Sequence, residues 1–91
     1  MDQNVRHNEA EHRFELNTAG AVAIADYVEQ GDRWVVTHTF VPPELRGGGI
    51  AGTLVKATLE TARARGKKVV PQCSYVAAYL SRHPEYHDLQ A

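Results

Sequence analysis

Cysteine occurs once in the 91 residues, as Cys73. A lone thiol excludes an internal disulfide and a multi-thiolate zinc site. Neither sign of charge is in excess: ten Lys and Arg stand against eleven Asp and Glu, a formal net charge of −1. The chain therefore exerts no global pull on nucleic acid or anionic lipid, and any anion site must be local. Long apolar runs are also missing, with none near the ~20 residues that cross a bilayer. The opening segment "MDQNVRHNEAEH" is too polar for a secretory signal, so a reducing, cytoplasmic setting is expected. Internal repeats, linkers and low-complexity tracts are absent. What is present, 43% hydrophobic and 23% charged residues, is the composition of a folded globular chain. Its length gives room for one domain over 1–91, with one modest core.

The first forty residues read as strands, because apolar residues recur at every second position and β-branched or aromatic types are common. "RFEL" sets Phe14 and Leu16 on one face, and a shorter strand over 5–7 pairs with it. After the turn-forming "NTAG", "AVAIADYV" is apolar on both faces, which predicts an interior strand covered on both sides. "EQGD" closes a hairpin into "RWVVTHTFV". Strict alternation there puts Trp34, Val36, His38 and Phe40 on one face and Val35, Thr37, Thr39 and Val41 on the other. Pro42 and Pro43 end the sheet. Over 50–65 the period becomes helical, with Ala51, Leu54, Val55, Thr58, Leu59 and Ala62 in one stripe opposite Thr53, Lys56, Glu60 and Arg63. Gly66 suits a left-handed stop, and Arg63 and Arg65 complement the negative helix end. "KKVVPQC" reads as a short strand and Ser74 as the N-cap of a last helix, "YVAAYLSRH", which Pro84 stops. The predicted class is α+β, a mainly antiparallel sheet with two helices, in the order β(β)ββ-α-β-α.

Between sheet and helix lies "RGGGIAG", residues 46–52. Backbone N–H groups of such a loop and of the first helical turn have no intrahelical acceptor and converge on one point, where anions bind. Glycine keeps Cβ atoms out of the way, and the helix dipole and Arg46 add positive potential. A purely structural turn is the alternative. A phosphate-binding P-loop needs a lysine before Thr53, which is missing. The dinucleotide pattern G-x-G-x-x-G is met by Gly47, Gly49 and Gly52, but antiparallel strands precede it and no acid near 70–74 is available for a ribose.

"VPPELRGGGIAGTLVKATLETARARG" resembles the acetyl-CoA-binding segment of the GNAT superfamily of N-acetyltransferases, whose R/Q-x-x-G-x-G/A motif is matched by Arg46, Gly49 and Ala51. The P-x-C element and H-P-x-Y ending of "VVPQCSYVAAYLSRHPEY" are similar to those of small single-domain GNAT-like proteins, so the resemblance covers nearly the whole chain. It implies a minimal GNAT-like fold and acetyl-CoA as cofactor. It further implies pyrophosphate on the amides of Gly47, Gly48, Gly49, Ile50, Ala51 and Gly52, with the strand before the loop and "KVVPQ" splayed around the pantetheine arm. A free N–H near Phe40 or Val41 would then polarise the acetyl carbonyl. The sequence departs from larger relatives in lacking two early helices, the final strands and a glutamate in "VVTHTFV". The acceptor site is accordingly expected to be shallow or to need a partner, and the general base is unassigned.

Acyl transfer to an amine needs a proton acceptor, and the leaving thiolate needs a donor. His38 is either the acceptor, directly or through water, or a histidine packed beside Trp34 and Phe40. Tyr75 and Tyr79, at i and i+4, are either donors or a packed aromatic pair. Cys73, where a strand meets a helix, is a small buried residue, an acid, an acetyl acceptor or a contact to the cofactor thiol. His83 and His87 have Pro84 between them and no further ligands, so no metal site is expected. His7 and His12 are expected in solvent. Two readings follow. One is an acetyltransferase moving acetyl from acetyl-CoA to a primary amine, on a small molecule or a protein lysine, by direct attack in a ternary complex. The other is a catalytically weak CoA-binding or protein-interaction module.

Overall fold

The computed structural model describes residues 5–18 and 20–91. The first four residues of the polar opening segment, and Ala19 of the "NTAG" turn, lie outside them. Four strands run as an antiparallel meander: β1 (Val5–Asn8), β2 (Arg13–Thr18), β3 (Ala21–Gln30) and β4 (Arg33–Phe40). Helix α1 (Ile50–Ala64) then crosses over to β5 (Lys68–Pro71), which pairs with β4 in parallel, and α2 (Ser74–Arg82) follows. The sheet order is β1-β2-β3-β4-β5. The order of elements and the two helices are as the sequence predicts, and β1 is the short extra strand. Gly20 at φ +77° and Gly31 at φ +62° make the two hairpin turns that follow β2 and β3, where a side chain would be strained.

Strict alternation fails in β4. Tyr27 pairs with Val36 and Asp26 with His38, so Thr37 is an extra residue with no partner, a β-bulge. One inserted residue turns every later side chain to the opposite face. Trp34 and Val36 are buried, at 0% and 1% exposure, whereas His38 and Phe40 are exposed. The four residues expected on one face therefore split between two. The expectation that β3 is covered on both sides is also overturned: Ala23, Ala25 and Tyr27 are buried while Val22 and Val28 are exposed. Both helices pack on the Ala23 side.

Helix α1 contributes Leu54, Val55, Ala57, Thr58, Leu59 and Ala62 to the core, each worth roughly 1.5–3 kcal/mol where a large aliphatic side chain is fully withdrawn from water. Thr58 is tolerated there because its hydroxyl donates to the Leu54 carbonyl at 2.8 Å. Gly66 at φ +69° ends the helix as predicted. Arg63 forms a forked pair with Asp88, and Arg65 one with Glu9, fastening both ends of the chain to the end of α1. The N-cap of α2 is Cys73, one residue before the predicted Ser74, because Cys73 keeps extended geometry while its carbonyl already accepts from Ala77. Pro84 stops α2 and opens a 3-10 turn, Pro84–Leu89, whose Tyr86 hydroxyl donates to Glu60 at 2.6 Å.

His7 is not in solvent. Its ring stacks on Phe14 at 4.2 Å and meets Tyr27 Oη at 2.6 Å, beside Trp34. The reason is the β1–β2 register, which sets His7 opposite Phe14 on the core face. His12 is exposed, at φ +53° in the turn before β2.

Candidate functional site

The glycine loop follows a 3-10 turn, Pro43–Leu45, and hands over to α1 with Gly49 as N-cap at φ +77°. Gly47 is also left-handed, at φ +90°. The first helical hydrogen bond runs from Thr53 N to Gly49 O at 3.1 Å. Among the described residues, the six amides of Gly47 to Gly52 donate to no backbone or side-chain acceptor. The first turn of α1 carries no acidic side chain, so nothing offsets its positive end. A Cβ built at Gly47 or Gly49 meets no atom within 4 Å. The loop thus presents donors to open space.

Beside it the sheet opens. β4 and β5 pair from Arg33–Lys68 to Val36–Pro71 and no further, whereas β4 pairs with β3 as far as Phe40. Pro71 supplies no donor, Gln72 N turns back to Val70 O, and Cys73 N makes the last link, to Val36 O at 2.9 Å. Beyond it the edge of β4 that faces away from β3 has no strand partner among the described residues. This notch and the glycine loop bound a cleft of about 420 Å³. Its walls include Phe40, Val41, Arg46, Gly47, Gly49, Ile50, Ala51, Gly52 and Tyr75, with Thr39 and Leu45. Nine expected residues are thereby brought together. Gly48, Cys73, Tyr79 and His38 are not in the wall.

Arg46 folds back over the cleft mouth: its Nε donates to Val41 O at 2.9 Å and its guanidinium lies 5.9 Å above the Phe40 ring. Cys73 stands one residue behind the wall, its Sγ 3.5 Å from the Thr39 hydroxyl. Burial pushes this thiol up, but the Thr39 hydroxyl and the amides of Val76 and Tyr75, near the sulfur without a capping hydrogen bond, hold it below its ordinary value overall. Thr39 is the residue the sequence reading missed. With uninterrupted alternation it belongs to an anonymous face, and only the Thr37 bulge turns it toward Cys73. The bulge also carries His38 away from Trp34; it pairs with Asp26 on the helix-free face, its ring 6.4 Å from Phe40. Tyr75 and Tyr79 stand near Gly52, where an added Cβ would lie 3.5 Å from Tyr75 Oη and 3.7 Å from Tyr79 Cε2. Tyr79 stacks on His83 at 3.8 Å. His83 and His87 bond the carbonyls of Tyr79 and Leu80, and no cluster of three metal-ligating side chains occurs among the described residues. No helix among them is long and apolar enough to cross a membrane.

Known proteins resemble this chain in sequence and in fold. The profile of the GCN5-related N-acetyl-transferase family matches residues 13–89. Protein NATD1 of Mus musculus is 34% identical over 85 residues, an overlap of 88% of this chain and 76% of the relative. The solution structure of a GCN5-like candidate N-acetyltransferase from Staphylococcus aureus superimposes with a TM-score of 0.75 at 26% identity, over 98% of this chain and 90% of that one. The family profile spans most of the sequence and the fold superimposes on that of a GCN5-like protein, so the chain belongs to the GCN5-related N-acetyltransferase family.

Proposed function

We propose that this chain, acting as a single domain over 1–91, binds acetyl-CoA and passes its acetyl group to a primary amine by direct attack in a ternary complex. One observation carries the reading: six consecutive free amides at the positive end of a 15-residue helix, five of them on residues that wall the cleft, stand beside a strand edge that has no strand partner among the described residues. The residues present fit the cofactor. The amides of Gly47 to Gly52 and the Arg46 guanidinium suit a pyrophosphate, and the free edge at Phe40 and Val41 suits an amide-bearing arm. When bound, acetyl-CoA supplies a thioester whose acetyl group passes to nitrogen, so that a C–N bond replaces the C–S bond, one proton leaves nitrogen and one reaches sulfur. The chain's own side chains hold and move those protons. His38 takes one from the amine on the exposed face, directly or through water. Tyr75, in the cleft wall, returns one to sulfur, with Tyr79 behind it. Cys73 shapes the end of the cleft through Thr39.

Gly48 is the cleanest place to test the cradle. Unlike Gly47 and Gly49 it has no positive φ, and an added Cβ would lie 3.8 Å from Leu45 O, an ordinary contact. Gly48→Val keeps the fold and lowers CoA affinity by about ten-fold or more, since the branched Cβ obstructs approach to the amides. Arg46→Ala costs about 1–2 kcal/mol of binding through one charged contact. Titration calorimetry on folded variants reads both; wild-type affinity in Gly48→Val moves the phosphate site elsewhere. A second reading, a CoA-binding module with little turnover, is favoured by the cleft wall itself, which contains no carboxylate and no histidine. Acetyl-CoA consumption with a panel of amines separates the two.

A further inference from the structure

The chain between β4 and the glycine loop doubles back on itself. Val41 precedes Pro42, which keeps it extended, and the 3-10 turn Pro43–Leu45, closed by Arg46 N donating to Pro43 O at 3.2 Å, then reverses direction. Arg46 thus returns beside Val41. Backbone groups of successive strand residues point to opposite edges. Tyr27 N donates to His12 O on the β2 side, so Asp26 and Ile24 face β4. Phe40, opposite Ile24, faces back to β3, and Val41 turns its carbonyl to the edge that has no strand partner among the described residues. That carbonyl accepts from Arg46 Nε at 2.9 Å. The same guanidinium covers the ring of Phe40, a residue 41% exposed on the bare face of the sheet, the one that no helix covers among the described residues. Among those residues no carboxylate pairs with Arg46, and neither Nη has a hydrogen-bond acceptor.

Resting on the acetyl-CoA reading above, we propose that Arg46 is a latch as well as a phosphate ligand, and that it makes the cleft select thioesters bearing a diphosphate over the same pantetheine arm without one. In the empty chain the arginine holds an edge acceptor, Val41 O, that an amide N–H of the arm needs in order to add itself to the strand. A carbonyl accepts two bonds, but the guanidinium plane behind Nε fills the approach from the edge. An arm alone must displace it. A diphosphate on the amides of Gly47 to Gly52 offers the guanidinium forked, charge-assisted bonds, stronger than one bond to a neutral carbonyl, and draws it off Val41 and Phe40. The two halves of the cofactor therefore assist each other, because the nucleotide half opens the edge for the arm. With the strength of one net hydrogen bond, the closed latch lowers the affinity of an arm alone by about three- to ten-fold.

The test titrates the isotope-labelled chain with pantetheine under reducing conditions, with and without inorganic pyrophosphate, and follows the amide resonances of residues 39–41 and 47–52. Pyrophosphate is expected to tighten pantetheine binding to the wild type by about three- to ten-fold. Arg46→Met keeps an apolar stem over Phe40 and removes the guanidinium. Without pyrophosphate it is expected to bind pantetheine more tightly than the wild type by the same factor, to lose the coupling, and to bind CoA more weakly. A phosphate contact with no latch predicts the CoA loss and no gain for pantetheine. Equal or weaker pantetheine binding in folded Arg46→Met, no coupling in the wild type, or no pantetheine binding to either protein each overturns the proposal. CoA is titrated separately. CoA that shifts residues 47–52 alongside any of those pantetheine results removes the latch and leaves the acetyl-CoA reading standing; CoA that leaves residues 47–52 of the wild type unshifted removes the reading itself.

Discussion

Cys73 sits where three influences meet: partial burial, the Thr39 hydroxyl at 3.5 Å and the amino end of α2. The net lowering of its thiol would help a covalent relay, yet among the described residues no histidine or carboxylate hydrogen-bonds the sulfur to accept its proton. Direct transfer therefore predicts that Cys73→Ala lowers the acetylation rate only modestly, by about ten-fold or less, and that acetyl-CoA alone leaves no acetyl group on Cys73. Intact-mass measurement checks this; a trapped acetyl-cysteine that an amine discharges contradicts it. At the other end of the molecule, burial first and the Arg65 guanidinium second hold His7 below the ordinary histidine value, with Glu9 and Glu29 opposing and His12 assisting. The unfolded chain then binds the proton more readily. Stability from the neutral ring is complete above pH ~6.5 and is lost as the pH falls through that value toward the folded one. The melting temperature should drop between about pH 7.5 and 5.5, and less steeply in His7→Gln; parallel curves for the two proteins would remove His7 as the cause.

Among the elements, β4 decides where the site lies. The Thr37 bulge sends Trp34 and Val36 into the core, Thr39 toward Cys73, and His38 and Phe40 to the bare face. Deleting Thr37 makes Tyr27–Val36 and Asp26–His38 consecutive pairs, so the bulge goes while His38 and Phe40 stay on the bare face and Thr39 stays toward Cys73. Because every later side chain keeps its face, the variant is expected to fold and to bind CoA much as the wild type does. Thermal melting and CoA titration check this, and a folded deletion variant that no longer binds CoA would show that the site depends on Thr37 itself and not on the facing it sets. No residue type announces the bulge, since "WVVTHTF" alternates equally well without it. That is why the face assignment failed while the strand itself was legible. The glycine loop and α1 were legible because their signals are local: left-handed glycines, a helical stripe and Gly66 as the stop. The cap of α2 was off by one residue, because Cys73 and Ser74 both precede a helical run and only backbone geometry distinguishes them.

At the scale of the whole molecule, cover was the property the sequence hid. "AVAIADYV" has the composition of a strand buried on both sides, and local pattern carries no record of which side the chain's two helices occupy. Both lie over the Ala23 face, along with the C-terminal turn that Tyr86, Arg63 and Asp88 tie down. The glycine loop stays at one end of that layer, where β4 and β5 separate. Its function as a CoA cradle is the claim on which the other assignments rest. The most direct measurement is the melting temperature with acetyl-CoA, CoA, ATP and NADH in turn, each at millimolar concentration. A ligand at 1,000 times its Kd stabilises the folded chain by about 4 kcal/mol. The account predicts clear upward shifts for acetyl-CoA and CoA and far smaller ones for ATP and NADH; equal shifts for all four, or none, would contradict it.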